Sequence, residues 1–262
     1  MRKSLKWLLV VGLLASGWLA GSLNAFAQHP DVIPYGLNGK IVTGSHDDVL
    51  GTDVLEQLVY GYDFGEDPTD PYIIGDPGFN NGGFAVGVFP NDGLLPTFST
   101  LAFDVVTQLF YWDGTGSVNF GPAPANVLLG LNRGSNTGFV DGAGNQTGTW
   151  PTIQPTGAAG RVHEHLDSEL HFTDGTNPAA PNAPDGIYYI GMQLKLIPTV
   201  NSNGTLLNSD PIYIVYNNGL SEEIHEAAEE WIQTNVVPEP GTWSLIALAT
   251  VAGAWGFRRR SM

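Results

Sequence analysis

The first chemical signal in this chain is an alternation. Over Arg161-Val162-His163-Glu164-His165-Leu166-Asp167-Ser168-Glu169-Leu170-His171-Phe172, polar and apolar residues take turns. Successive side chains of an extended strand point to opposite faces. Read as one strand, the segment sends Val162, Leu166, Leu170 and Phe172 inward, with Glu164 and Ser168 as polar exceptions on that face. His163, His165, Asp167, Glu169 and His171 then share the other face, which holds three of the six histidines. Neutral imidazole and carboxylate are ligands for zinc or copper, and i, i+2 spacing on a strand lets two imidazole nitrogens converge. This reading names His163 and His165 as first ligands. Asp167, or the distant His46 of Gly44-Ser45-His46-Asp47-Asp48, completes the shell. The competing reading of the same residues is a polar, solvated sheet face. His225 is a weaker candidate, placed on the exposed side of a predicted helix.

Other chemistry has less to stand on. The acidic loop Asp63-Phe64-Gly65-Glu66-Asp67-Pro68-Thr69-Asp70 offers oxygens to calcium but lacks the EF-hand pattern, so a solvated turn is the simpler reading. Asp113-Gly114 and Asp141-Gly142 read as turns. There is no Gly-x-Ser-x-Gly elbow, no His-Glu-x-x-His helix and no P-loop. A glycosidase carboxylate pair is defined by separation in space, which sequence does not give. Tyr111, Trp112 and Trp150 are able to stack on sugar rings, as in a carbohydrate-binding module, or to fill a core.

Charge narrows the field further. Six of the ten basic residues are Arg2, Lys3, Lys6, Arg258, Arg259 and Arg260. Between Gln28 and Val237, Lys40, Arg133, Arg161 and Lys195 stand against 25 acids, a net −21. Nucleic-acid binding is excluded, because a phosphate backbone needs a basic footprint. Such acidity favours solubility and cation binding. Cysteine is absent from the 262 residues, which removes disulfides and thiolate ligands. A chain of this length can bury a core without staples.

The elements that must position these residues are mostly strands. Runs at Val54–Tyr62, Gly83–Phe89, Ser99–Trp112, Ile187–Ile197 and Ile212–Tyr216 are separated by Asp-Pro, Asn-Gly and Asp-Gly breaks. The pattern predicts a mostly β fold, an antiparallel β-sandwich or jelly roll, over residues 28–235. The Gly-rich section from Arg133 to Gly160 reads as a long loop or weak strands. One amphipathic helix is predicted near the C-terminal end of this domain. Ser221 caps it, Glu222 and Glu223 occupy its first turn, and Ile224, Ala227, Ala228, Trp231 and Ile232 form its apolar stripe.

The two ends carry an address. Arg2, Lys3 and Lys6 precede the apolar run Trp7–Leu14, and Ala25-Phe26-Ala27 follows as an A-x-A site, so residues 1–27 read as a secretory signal peptide cut before Gln28. At the other end, Pro238-Glu239-Pro240 leads into an apolar stretch at 242–257, then Arg258-Arg259-Arg260. About 16 residues make a helix of roughly 24 Å, at the short edge of spanning a bilayer. Trp243 and Trp255 flank it, and the arginine cluster stays cytoplasmic.

In motif, span and basic end, in that order, residues 236–262 resemble the PEP-CTERM sorting signal of Gram-negative bacteria. The resemblance implies an exosortase as partner, alongside the secretion machinery. It implies export across the inner membrane, a transient membrane anchor, and then a cell-surface or extracellular location with exopolysaccharide or biofilm. Pro238, Glu239 and Pro240 are then residues acted upon. Three function classes follow: a non-catalytic surface or matrix protein, a metal-binding surface protein, and a sugar binder or glycan-active enzyme.

Overall fold

The computed structural model describes residues 30–47, 52–82, 93–172 and 183–238. The signal segment 1–27, the strand expected at 83–89, Glu239, Pro240, the span at 242–257, and Arg258, Arg259 and Arg260 lie outside the described residues. Among the described residues, no helix is long and apolar enough to cross a membrane.

In chain order the strands begin with β1 (Ile33–Leu37), β2 (Lys40–Asp47), β3 (Thr52–Leu55), β4 (Val59–Phe64), β5 (Ile73–Ile74) and β6 (Gly78–Asn80). Next come β7 (Ser99–Val105), β8 (Phe110–Trp112), β9 (Gly121–Pro122), β10 (Val127–Arg133), β11 (Asn136–Asp141) and β12 (Gln146–Gly148). Then follow β13 (Gln154–Pro155), β14 (His163–His165), β15 (Asp167–Phe172), β16 (Gly186–Pro198), β17 (Pro211–Asn218) and one helix, α1 (Glu222–Asn235). The protein is therefore mostly β with a C-terminal helix, as expected.

A seven-stranded sheet runs β13-β7-β16-β17-β4, with β8 and β9 attached at β16. A five-stranded sheet runs β12-β11-β10-β15-β5. Smaller sheets join β1-β2-β3 and β14-β6. Strand pairing is antiparallel except between β17 and β4, which run parallel.

Why these runs become these strands follows from what they bury. Ile190, Met192, Ile212, Ile214 and Tyr216 of the larger sheet share one core with Leu129, Leu131, Val140 and Leu170 of the five-stranded sheet. Ile187, Tyr189, Tyr213 and Val215 alternate with them and pack the opposite face against Ala228 and Ile232 of α1. A sheet covered on both faces needs apolar side chains at nearly every position. That is why β16 and β17 read as almost continuous apolar runs.

Several expected boundaries shift. Val54–Tyr62 divides into β3 and β4 at Glu56, whose φ is 58°. Ser99–Trp112 divides into β7 and β8. The Gly-rich section holds β11, β12 and β13 rather than one long loop. The β1–β2 hairpin turns on Asn38 and Gly39, with φ of 52° and 78°. Both values are left-handed, the conformation a two-residue Asn-Gly hairpin requires.

The polar exceptions of the His-bearing segment are both satisfied. Glu164 pairs with Arg133, which holds its carboxyl below the usual range. Ser168 is fully buried and its hydroxyl donates to the Asp76 carbonyl. The Tyr216 hydroxyl, 2.8 Å away, completes the chain by donating to Ser168 Oγ. Burial pushes the Tyr216 phenol well up, so it remains a donor. This bond links β15 of one sheet to β17 of the other.

Helix α1 corrects two expectations. Ala227 is exposed, and His225, expected on the exposed side, is 2% exposed. The reason lies across the interface. Gly61 of β4 sits directly beneath Glu229 and His225, and a Cβ there would overlap both side chains. Ser221 starts the helix in an extended conformation, and its carbonyl accepts from the amides of Ile224 and His225. His225 Nδ1 lies 3.2 Å from Asp63 Oδ1, and Nε2 lies 3.2 Å from Glu229 Oε1. Burial opposes the imidazolium charge, but Asp63, Glu229 and Glu222 outweigh it and raise the imidazole above its ordinary value. Burial likewise raises the Glu229 carboxyl, against the opposing pull of His225.

Two outcomes follow. Ser168→Ala strands the Tyr216 hydroxyl in the core and should cost about 1–3 kcal/mol, against about 1 kcal/mol for Tyr216→Phe. Urea unfolding of the two variants checks the order. The His225 contribution is complete below about 6.5, its ordinary value, and is lost as pH rises through the raised folded value. Glu229, also raised, acts in the same direction from the carboxylate range upward. Urea midpoints should therefore fall more steeply with rising pH in the native chain than in His225→Gln; parallel curves would refute the ionic clasp.

Candidate metal centre

The segment Arg161–Phe172 forms two strands rather than one. It breaks at Leu166, which is fully buried. The break sends β14 to pair with β6, while β15 pairs with β10 and β5. His163 and His165 are thereby separated from the rest of their expected face. Their rings lie 6.1 Å apart. His171 belongs to the five-stranded sheet, where Nε2 meets Glu169 Oε2 at 2.7 Å and the ring packs edge-on to Phe139.

The third group that converges with the two histidines is Asp31. Ligand atoms from Asp31, His163 and His165 all lie within 4.8 Å of one another. Neither Asp167 nor His46 belongs to this set. His46 Nδ1 is engaged with Asp53 Oδ1 at 2.6 Å, between β2 and β3. Burial raises the Asp167 carboxyl, reinforced by Glu169 and Glu164 and eased by His165. It sits near the centre and lends it negative potential without being one of the converging groups.

The backbone explains the convergence. Val32 lies beside β6, donating its amide to the Gly78 carbonyl at 2.8 Å and accepting from Asn80 at 3.0 Å. On the other side of β6, His165 pairs with Gly78 and His163 with Asn80. Asp31, Gly78 and His165 thus form a row across three neighbouring segments. The middle position of that row has no side chain. A Cβ at Gly78 would overlap both Asp31 Oδ1 and His165 Cε1. Glycine leaves the space in which the carboxylate and imidazole approach.

Local bonds also set the imidazole. His165 Nδ1 is 2.8 Å from the Gly75 carbonyl, an acceptor, so Nδ1 carries the proton. Nε2 then presents its lone pair and lies 3.9 Å from Asp31 Oδ1. Such a bond from the second nitrogen to a carbonyl is the usual way a metal-binding histidine is oriented. Asp76 reinforces it: Oδ1 lies 3.5 Å from His165 Nδ1 and accepts the Gly78 amide at 3.1 Å. Zinc bonds of roughly 2.0–2.1 Å in tetrahedral geometry place ligand atoms about 3.4 Å apart. Side-chain rotations of about 1 Å close the triad around one ion. His165 is 45% exposed and Asp31 26%, which leaves a fourth position to water.

Sequence reasoning missed Asp31 because its partners are far along the chain. One signal was present: Asn38-Gly39 between apolar residues marks a hairpin, and hence a strand start just after Asp31.

The remaining candidates resolve into structure. Asp63, Glu222 and His225 also converge, in the clasp that seats α1 on β4, where His225 is buried, Asp63 half-buried and Glu222 exposed. Asp67 accepts from the amide and hydroxyl of Thr69, which lower its carboxyl, so the acidic loop closes as a turn. Trp112 is buried and donates to the Thr115 carbonyl. Trp150 packs edge-on to Phe103, and Tyr111 packs against Tyr188. None of the three forms an open stacking platform. A groove beside the β1–β2 turn, lined by Gly36, Leu94, Pro96 and Asn203, holds no titratable side chain.

At the C-terminal end, Val237 is 9% exposed and bonds to the Ile232 carbonyl at 3.1 Å. Pro238 follows directly and is exposed. None of the curated proteins and none of the solved structures matches the chain. Residues 236–260 match the PEP-CTERM protein-sorting motif, so the chain ends in a sorting tail of that kind, whose first residues, Val236 and Val237, still pack with α1.

Proposed function

We propose that this protein is exported, processed by an exosortase at its Pro-Glu-Pro motif, and left at the cell surface or in the extracellular matrix. The observation that carries this reading is the match at 236–260, which starts directly after α1 ends at Asn235. Residues 1–27 act as the signal peptide, cut after Ala27 within the Ala25–Ala27 site. The tail at 242–257 anchors the chain briefly in the membrane, with Arg258, Arg259 and Arg260 inside. The mature product ends near Val237 and consists of the acidic β-rich body 28–235, a sandwich-like domain that acts without catalysis, alongside exopolysaccharide.

The test is to change Pro238-Glu239-Pro240 to Ala-Ala-Ala and follow the protein by fractionation. The variant should accumulate uncut in the membrane, with little product at the surface. Unaltered processing and release would reduce the tail to a plain anchor.

A second reading describes what the body does once outside: it binds zinc or copper. The convergence of Asp31, His163 and His165 over Gly78 favours it. The purified protein should bind one equivalent of zinc at neutral pH. Replacing His163 and His165 together with Ala should abolish binding. Asp31→Ala should weaken it by at least about tenfold, while His46→Ala and Asp167→Ala should retain it, since Asp31 is the nearer ligand. Zinc uptake unchanged in the double variant, read by calorimetry, would sink this reading.

A further inference from the structure

The three ligands of the candidate centre do not come from one part of the chain. His163 and His165 stand on β14, while Asp31 stands on the segment that enters β1. Between them runs β6, which touches both but supplies only Gly78 to the row. The entering segment is held to β6 by two backbone bonds, Val32 to Gly78 and Asn80 to Val32. The Tyr62 hydroxyl adds a bond to the Pro30 carbonyl at 3.2 Å. Val32 itself is fully buried against Phe79 in the main core. Docking of Asp31–Val32 therefore decides whether the β1–β2 hairpin is tied to the body at its start.

Resting on the metal reading above, we infer that the ion at this site is a structural staple. It joins the entering segment to β14 across β6 and fixes the N-terminal edge of the domain. The two histidines lie two residues apart on one strand, so an ion held by them alone would constrain nothing beyond that strand. Asp31 changes this. With it, one ion closes a loop of roughly 130 residues, and loops of that length carry a large closure entropy when open. A ligand that binds the docked edge and not the undocked one shifts the docking equilibrium by a factor of 1 + [L]/Kd. Because the two histidines alone still hold zinc, the shift is capped by the affinity that Asp31 adds, so saturating zinc favours docking by about tenfold. Gly78 makes this possible by leaving the middle of the row empty. Asp76 and the Gly75 carbonyl hold His165 in the tautomer that offers Nε2 toward Asp31.

The experiment is amide hydrogen exchange on the purified full chain, with zinc chloride or with chelator. Val32 and Asn80, whose bonds form the edge, should exchange about tenfold more slowly with saturating zinc. Ile190 and Ile214, central in the large sheet, should be unchanged. Asp31→Asn should still take up zinc through His163 and His165 at higher concentration, but without slowing Val32 or Asn80. If zinc binds at one equivalent and the edge amides exchange as before, the staple is wrong and the metal site stands. Equal slowing in Asp31→Asn also overturns the staple. If no zinc binds, the metal reading fails and the staple with it.

Discussion

The period-two alternation of an extended chain is the constraint from which the other features descend. Once Val162, Leu166 and Leu170 are buried in the common core, His163 and His165 have to face outward. The same rule acts on β16 and β17 with both faces covered, so one set of side chains meets the five-stranded sheet and the other meets α1. The Ser168–Tyr216 bond sits inside this arrangement and costs it little, because every polar atom in the seam has a partner. The break at Leu166 passes the outward row from one sheet to another without changing the inward one.

A second theme is the shortage of positive charge. The four basic residues of the body are all engaged: Lys40 with Asp210, Arg133 with Glu164, Lys195 with Asp104, and Arg161 with the Gly82 carbonyl. Histidine fills part of the deficit. His46 meets Asp53, His171 meets Glu169, and His225 stands between Asp63 and Glu229. In a domain with so many carboxylates, imidazoles sit where lysines or arginines do in a balanced one. Those pairs are weaker when the ring is neutral, unlike the pairs a lysine or arginine would make.

Much of the fold was legible because it rests on local patterning. The alternation at 161–172, the apolar runs of β16 and β17, and the acidic first turn of α1 are all visible in the residues themselves. What was not legible depends on contacts between distant segments. Asp31 reaches the histidines only because Val32 docks on β6. His225 looked exposed because the helical stripe places it beside charged neighbours, and Gly61, which makes room for it, lies on another strand. Asp167 stays near the histidines, but the break at Leu166 places it on β15, outside the converging set of Asp31, His163 and His165. The tail, in contrast, is read by its order of motif, span and basic end, which needs no tertiary context, and its recognition held.

The junction between Val237 and Pro238 has a mechanical meaning. The matched segment begins at 236, directly after α1 ends at Asn235, and Val237 within it is buried, so among the described residues no tether separates the helix from that segment. Any protein that engaged the chain just past Pro238 would meet the C-terminal end of α1 at once. The helix displays Glu222, Glu223, Glu226 and Glu230 to solvent on its outer side. A face of this sign repels an anionic surface. On the proposed anchored route, the helix would hold the body off any anionic surface at its tail end.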